Sequence, residues 1–226
     1  MPRLTAFGAL AAAVASAAWV AVAPQHAGLP LLLAAVGLLV AGAAWLETGP
    51  AASKEIVLVA TLAAVAAAGR VLFAGVPGVQ PVTVVTVAAG AALGARAGFA
   101  TGAIAALASN FFLGQGPWTP WQMLAWGMCG LAGAVFARLI RGRIPFALLC
   151  CVLGFAFSAF MDLWIWVTYL PHTWQALAVV VGQGLWYDAA HAIGNVVIAL
   201  TIGPELRRLL ERYERRLRTE VVWART

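Results

Sequence analysis

Residues 110–122 read N-F-F-L-G-Q-G-P-W-T-P-W-Q and join two apolar segments of the chain. This stretch contains two Trp, two Gln, two Pro and two Gly, but no Lys, Arg, Asp or Glu. Pro and Gly restrict the backbone to turns, while amides and indoles offer neutral hydrogen-bonding and stacking surfaces. The stretch therefore predicts a contact with a small molecule rather than a plain connection between membrane helices.

Composition identifies the class of protein. Of the 226 residues, 63% are hydrophobic and 10% are charged, whereas about 25% of a soluble domain is charged. We therefore expect an all-α integral membrane protein without a large water-exposed catalytic domain. The net charge of +6 does not indicate nucleic-acid binding, because the Arg residues lie at segment ends and in the C-terminal tail, where they orient a protein in the lipid bilayer.

Apolar runs of roughly 17–25 residues, the length that spans a bilayer, predict about eight crossings. Two additional N-terminal transmembrane helices fall in residues 1–50, six more crossings in residues 51–204, and a basic cytoplasmic helix or tail in residues 205–226. The first helix is interpreted as uncleaved rather than as a signal peptide. Gly203-Pro204 is expected to stop the last crossing. The predicted crossings are residues 4–23, 29–46, 56–74, 82–93, 98–113, 122–139, 144–170 and 180–202.

Positive residues are confined to alternate connections, which predicts the orientation of the crossings. One set of connections holds Lys54, Arg96, Arg138, Arg141, Arg143 and the Arg-rich tail. The other set, residues 75–81, 111–121 and 168–183, contains no Lys or Arg. Both termini are therefore expected in the cytoplasm, and residues 110–122 at the outer face. Arg70 is the one cation predicted near that face.

Three polar residues of the last crossing share one helix face, because Asp188, His191 and Asn195 are spaced at i, i+3 and i+7. Such groups are costly in lipid, so the face is expected to point into the protein. Three interpretations remain open for it: a structural hydrogen-bond network, a ligand site, and a proton relay or intramembrane enzyme that would also use Asp162.

Sequence motifs for catalysis and metal binding are missing. There is no nucleophile elbow, zinc-protease motif or phosphate-binding loop, and the three Cys form no C-x-x-C pair. We therefore expect no enzyme, no cofactor and no metal site. Small residues recur every four positions at Gly90, Gly94, Gly98 and Gly102, and again at Ala60, Ala64 and Ala68. This spacing allows helices to pack closely, inside the protein or, for the alanines, against a partner.

From Lys54 to about Arg208, roughly two thirds of the chain, the sequence resembles the S component of energy-coupling factor (ECF) vitamin transporters. The closing D-A-A-H-A-I-G-N helix and the tryptophan stretch extended by Met123 are its more specific parts. The rest of the resemblance lies in the alanine-rich opening helix, the turn from Pro77 to Pro81 before a short helix, and the segment Gly94-Ala95-Arg96-Ala97-Gly98-Phe99.

The resemblance implies a six-helix core in a multi-pass protein of the bacterial plasma membrane, to which the two N-terminal helices are an addition. It implies that the chain binds a vitamin at the outer face. The cargo is then imported with a transmembrane coupling subunit, which Ala60, Ala64 and Ala68 would face, and two cytoplasmic ABC ATPases. The substrate-binding residues would be Gln80, Asn110, Gln115, Trp118, Trp121, Gln122, Tyr187, Asp188, His191 and Asn195.

Cobalamin or another corrinoid is the cargo that the tryptophan stretch resembles most, although a flat flavin, thiamin or pyrimidine ring would also suit an aromatic mouth. A strongly anionic vitamin such as folate is disfavoured, because no Arg fork is visible for its carboxylates. Two other functions remain open from the residues alone. One is a stand-alone proton-coupled carrier or intramembrane enzyme that uses Asp162, Asp188 and His191. The other is a structural membrane assembly subunit.

Overall fold

The computed structural model describes residues 52–223 and, in addition, a set of separate positions between Gly8 and Ala44. These separate positions are all helical. Side chains are described continuously from Lys54 to Arg216. The bounds of the two predicted N-terminal crossings lie outside the described residues.

Residues 52–223 fold into helices joined by short connections, and no strand occurs in this range. The all-α prediction is therefore confirmed for the described part of the chain. In chain order, the helices are α1 (Ala52–Leu72), α2 (Val82–Leu93), α3 (Ala95–Leu113), α4 (Thr119–Val135), α5 (Arg143–Tyr169) and α6 (Trp174–Trp223).

Three of these helices contain segments long and apolar enough to cross a membrane, namely Lys54–Leu72, Arg143–Tyr169 and Trp174–Arg216. In contrast, α2 has 12 residues, fewer than the roughly 17–25 that a single helix needs to span the hydrocarbon layer. The helical architecture is thus compatible with an integral membrane protein in which α2 is shielded by its neighbours.

The short helix α2 lies at the centre of the fold. Every residue from Val82 to Gly90 is buried, and α2 packs against each of the other five helices. Elsewhere, α3 packs extensively against α4, and α5 against α6, whereas α4 and α5 make few direct contacts. Since α2 contacts both groups, it joins α1, α3 and α4 to the α5–α6 pair.

Glycines allow the backbones of α2, α3 and α4 to touch. A Cβ on Gly90 would overlap the carbonyl oxygen of Gly130, and a Cβ on Gly98 would lie 2.5 Å from the Cα of Gly90. A Cβ on Gly102 would likewise overlap the backbone of Trp126. Gly90, Gly98 and Gly102 therefore serve packing inside the protein, whereas a Cβ on Gly94 would meet nothing within 4 Å.

Helix α6 does not stop at Gly203-Pro204, where the last crossing is predicted to end, but continues through Pro204 to Trp223. Proline lacks the N–H that would bond the carbonyl of Leu200, four residues earlier. In the structure, Arg143 Nη1 donates to that carbonyl oxygen at 3.2 Å. Beyond the proline, Arg207 Nη1 donates to the carbonyl of Ile140 at 2.9 Å. The second of these bonds fastens the basic extension to the α4–α5 connection.

The start of the last crossing also differs from the prediction of residue 180. Helix α6 begins at Trp174, so the connection from α5 is limited to residues 170–173. The indole of Trp166 donates to the carbonyl of Thr173 at 3.0 Å and closes this turn. Residues 114–118 and 170–173 lie at the same end of the helices, as the contact between Trp118 and Trp164 requires. We call this the tryptophan end.

Candidate functional site

The stretch 110–122 folds into a compact turn at the tryptophan end. Gly114 ends α3 with a φ of +106°, which favours glycine, and its N–H donates to the carbonyl of Asn110 at 2.9 Å. The Thr119 N–H then bonds the carbonyl of Gly116 at 3.0 Å. The Trp118 ring covers Gly116 so closely that a Cβ there would overlap it. Pro120 lies in the first turn of α4, where the missing N–H of proline breaks no helical hydrogen bond.

A buried arginine joins this turn to the helix ends beside it. Arg70, near the end of α1, donates from Nε to Gln80 Oε1 at 3.1 Å. Its Nη1 donates to Ser109 Oγ at 2.7 Å and to Asn110 Oδ1 at 2.6 Å. The guanidinium carbon also lies 4.8 Å from the centroid of the Trp126 ring. One side chain therefore ties α1 to α3, α4 and the segment before α2.

Asn110 extends the network into the turn. Its Nδ2 donates to Thr119 Oγ1 and to Gln122 Oε1, both at 2.9 Å. The Thr119 hydroxyl in turn donates to Gln115 Oε1 at 2.9 Å, and Gln115 Nε2 donates to the carbonyl of Leu107 at 3.1 Å. These bonds fix the orientation of each amide. We call the connected set Arg70, Gln80, Ser109, Asn110, Gln115, Thr119 and Gln122 the Arg70 network.

The Arg70 network contains no carboxylate, and none of the ion pairs of the described side chains includes Arg70. Neutral oxygens and the face of Trp126 stabilise the buried charge instead. Four predicted binding residues, Gln80, Asn110, Gln115 and Gln122, therefore form hydrogen bonds within this network. The sequence prediction missed Arg70 as their organiser, although its spacing from the buried Ala63, Ala66 and Ala67 places it on the inward face of α1.

His191 is held inside the protein by two contacts. Its Nδ1 lies 2.6 Å from the carbonyl oxygen of Gly78, and its Nε2 lies 3.4 Å from Asn195 Nδ2. These partners fit a neutral ring with its proton on Nδ1. Gly78 has a φ of +75°, and a Cβ there would lie 2.7 Å from the backbone nitrogen of His191. His191 and Asn195 are 1% and 0% exposed, and the contact of His191 with Gly78 joins the α1–α2 turn to α6.

Tyr187 lies one helical turn before His191 on α6, and its hydroxyl accepts a hydrogen bond from Gln80 Nε2 at 3.3 Å. The ring of Phe157 lies beside His191, with ring centroids 5.4 Å apart, and also stacks on Trp126 at 4.3 Å. Asp188, His191 and Asn195 are 8%, 1% and 0% exposed, so the prediction that their shared face points into the protein is confirmed. His191 and Asn195 contact each other, whereas Asp188 lies one turn closer to the tryptophan end.

Aromatic side chains bridge the weakly packed junction between α4 and α5. The rings of Trp118 and Trp164 are 6.4 Å apart, and those of Trp121 and Phe160 are 5.5 Å apart. Trp164 also contacts Tyr169 at 5.6 Å. We call these five residues the aromatic cluster. It contains the predicted residues Trp118 and Trp121, to which the structure adds Phe160, Trp164 and Tyr169.

Several buried polar atoms around this cluster have no hydrogen-bond partner. They are the indole nitrogens of Trp121 and Trp164 and the hydroxyl of Thr168, which lies one helical turn beyond Trp164. Buried polar groups in folded proteins are almost always paired, so such exceptions need an explanation. Two donors and one hydroxyl at an aromatic surface can together hold a flat molecule that carries acceptor atoms.

Two carboxylates face each other across Gly184 of α6. A Cβ on Gly184 would lie 3.5 Å from Asp162 Oδ1 and 3.5 Å from Asp188 Oδ2. Both residues are 8% exposed, and Asp162 Oδ2 has no hydrogen-bond partner. We call Asp162 and Asp188 the carboxylate pair. The predicted binding residue Asp188 thus lies beside Asp162, which was predicted to act only in a proton relay, a proton-coupled carrier or an intramembrane enzyme.

The predicted partner surface occupies the other side of α1 from Arg70. Ala60, Ala64 and Ala68 are all exposed, while Val59, Ala63 and Ala66 are buried. Within the described residues, no group of three or more His, Cys, Asp or Glu side chains could hold a metal ion.

No model of a protein family, no curated protein and no solved structure matches this chain.

Proposed function

We propose that this chain is the substrate-binding subunit of an ECF-type ABC importer. It captures a vitamin or related micronutrient at the outer face of the membrane, and partner subunits then import the cargo with ATP. The observation that carries the proposal is the aromatic cluster with its unpartnered indole nitrogens at Trp121 and Trp164. The resemblance of the tryptophan stretch favours cobalamin or another corrinoid among the candidate cargoes.

The unpartnered groups are the strongest support for a ligand. Leaving a buried donor unpaired costs about 1–3 kcal/mol, and lipid offers no acceptor to replace the missing one. In the Arg70 network, by contrast, neighbouring side chains satisfy one another. The difference between the two regions supports a division of roles, in which the network shapes the turn and the aromatic cluster binds the cargo.

The junction between α4 and α5 supports the same location. These helices make few direct contacts, whereas α3 with α4 and α5 with α6 pack closely. Between them lie large ring surfaces contributed by both sides: Trp118 just before α4, Trp121 in α4 and Trp164 in α5. Aromatic faces bind flat conjugated rings by stacking, and such rings are common to the candidate cargoes.

The distribution of charge supports an outward position for the cluster. Arg143 pairs with Glu205, and Arg207 bonds the carbonyl of Ile140, at the end opposite to the tryptophan end. The connections 114–118 and 170–173 contain no charged residue. Since cationic connections favour the cytoplasmic side, the aromatic cluster faces the outside in this proposal.

The exposed alanine face of α1 suits the coupling subunit. Ala60, Ala64 and Ala68 recur at intervals of one helical turn and contribute no bulky side chain. Small residues at this spacing allow a second helix to approach the backbone closely in lipid. In the proposed complex, this face of α1 contacts the coupling subunit, which connects the chain to its two ATPases.

The experiment that tests the proposal compares two tryptophan variants in a vitamin-binding assay. The purified chain is placed in lipid nanodiscs without ATP and titrated with cobalamin, riboflavin, thiamin and folate, with calorimetry as the readout. Trp164→Phe removes an unpartnered indole nitrogen, whereas the control Trp174→Phe changes an exposed ring of α6. We expect a vitamin to bind and Trp164→Phe alone to weaken it. Equal affinities of both variants would contradict the proposed site.

A stand-alone proton-coupled carrier is the second candidate, and the proximity of Asp162 and Asp188 favours it. Such a carrier would transport its substrate without partner subunits. Uptake by liposomes that contain only this chain, driven by a pH gradient and lost in Asp162→Asn, would support the carrier and contradict the ECF proposal. Binding without uptake is the result that the ECF proposal predicts.

A further inference from the structure

We propose that the carboxylate pair, Asp162 and Asp188, binds a cationic group of the cargo, so that the substrate is an organic cation. This inference rests on the proposed function and names the chemical class of its ligand, and it favours a cationic candidate such as thiamin over the corrinoid that the tryptophan stretch resembles. The site is the space beside Gly184, between α5 and α6, and a protonated amine or a positively charged ring nitrogen is the group that would occupy it.

The geometry of Gly184 defines the space. The position that a Cβ would take there lies 3.5 Å from one oxygen of each carboxylate, so the two oxygens are separated by at most twice that distance. At this range two ionised carboxylates repel each other, and burial increases the repulsion. A positive charge between them would remove that cost.

Among the side chains that the structure describes, none supplies such a charge. None of the ion pairs formed by the described side chains includes Asp162 or Asp188. Arg70, the buried arginine of the tryptophan end, directs its Nε and Nη1 donors to Gln80, Ser109 and Asn110 instead. In addition, Asp162 Oδ2 is buried and has no hydrogen-bond donor. Buried charges in proteins are normally paired, which indicates that the partner is a ligand.

The neighbouring rings favour an organic cation over an inorganic one. Asp162 and Trp164 are two residues apart on α5, so their side chains point in nearly opposite directions around the helix. Since both are buried, they lie at the two edges of the inward face of α5. A molecule along this face would meet the carboxylates on one side and the aromatic cluster on the other. Ring faces attract organic cations, whereas a small metal ion prefers several oxygen ligands at close range.

Two glycines of α6 provide a matched pair of variants. An Ala at position 184 would make ordinary van der Waals contacts with both carboxylates, so the protein can fold while a methyl group fills the site. Gly182 lies two residues earlier on the same helix, and a Cβ there would meet nothing within 4 Å. Gly182→Ala therefore reproduces the change in helix propensity without touching the site.

The test uses the full chain in nanodiscs of uncharged lipid and tryptophan fluorescence as the readout. The probes are thiamin, tetraethylammonium and putrescine as organic cations, riboflavin and cobalamin as further vitamins, and radiolabelled sodium as an inorganic ion. We expect at least one organic cation to bind. Asp162→Asn and Asp188→Asn should each weaken it by roughly 30-fold or more, Gly184→Ala should also weaken it, and Gly182→Ala should leave it unchanged.

The possible failures can be told apart. One outcome is that riboflavin or cobalamin binds equally well to the parent and to both Asn variants, and that no organic cation binds. That outcome overturns the cation assignment, while the proposed function stands. Sodium binding that depends on Asp162, without any organic cation binding, also overturns the assignment to cargo. If the folded protein binds no probe, both proposals are overturned. Thermal unfolding of each variant shows whether it is folded.

Discussion

Arg70 Nη1 lies 2.6 Å from Asn110 Oδ1 and thereby connects the end of α1 to the last turn of α3. Asn110 is also the first residue of the tryptophan stretch, and its amide nitrogen bonds Thr119 and Gln122 at the start of α4. The conformation of the turn between α3 and α4 therefore depends on a cation contributed by a third helix.

Replacement of Arg70 should destabilise the protein. Arg70→Met leaves the acceptors of Gln80, Ser109 and Asn110 without their donor, and we expect a loss of roughly 2–4 kcal/mol in the free energy of unfolding, the scale of several charge-assisted hydrogen bonds. Arg70→Lys should recover only part of it, because an ammonium group cannot reproduce the guanidinium fork. Denaturant titration in detergent measures both changes. Arg138→Met, at an exposed position, is the control, and an equal loss there would contradict the assignment.

Gly98 should tolerate no side chain. Gly98→Ala places a Cβ 2.5 Å from the Cα of Gly90 and 2.7 Å from the carbonyl oxygen of Gly130. Overpacking of this kind costs about 1–3 kcal/mol, and a backbone that cannot move aside places the cost at the upper end. Gly75→Ala is the control, since a Cβ there would meet nothing within 4 Å. Melting temperatures of the two variants in the same detergent should differ by several degrees, and similar values would contradict the close packing of α2, α3 and α4.

Thr168 should contribute to binding and not to stability. Thr168→Val keeps the shape of the side chain but removes a buried hydroxyl without a partner, so the free energy of unfolding should stay equal or rise by about 1 kcal/mol. If the hydroxyl bonds the cargo, vitamin affinity should fall several-fold. Thr61→Val is the control, because that hydroxyl bonds the backbone of its own helix at 2.8 Å on an exposed surface. A clear loss of stability in Thr168→Val would indicate a structural role instead.

Arg143 and Pro204 should be energetically coupled. In the parent protein, the Arg143 guanidinium supplies a hydrogen bond to the Leu200 carbonyl that Pro204 cannot make. Pro204→Ala restores the backbone donor, so Arg143→Met should cost less stability in that background than in the parent. We expect a coupling of about 0.5–1.5 kcal/mol, the net value of one hydrogen bond. A double-mutant cycle measures it, and strict additivity would contradict the compensation.

Much of the helical arrangement follows from local sequence patterns. The bounds of α2 were predicted residue for residue, because Pro81 and Gly94 interrupt the apolar pattern on either side of it. The end of α6 was not, because the Arg143 side chain that compensates for Pro204 lies some sixty residues earlier in the chain, and no local rule reports such a contact. Helix propensity describes the cost of a proline, but not the tertiary bond that offsets it.

The candidate site was predictable only in part. Trp118 and Trp121 stand out from their neighbours as aromatic residues in an uncharged connection, and both belong to the aromatic cluster. Spacing on one helix also suggested that Asp188 and His191 act together, but the structure joins His191 to Gly78 and brings Asp188 close to Asp162. Partners on different helices depend on packing between them, which periodicity within one helix does not determine.

Equilibrium binding by the isolated chain is the most direct test of the central claim. The protein is purified without partner subunits, placed in nanodiscs and titrated with the vitamin panel in the absence of nucleotide. We predict saturable binding of one vitamin per chain, lost when Trp121 and Trp164 are both replaced by Phe in a protein that remains folded. Absence of saturable binding across the panel, or binding that persists unchanged in the double variant, would contradict the account.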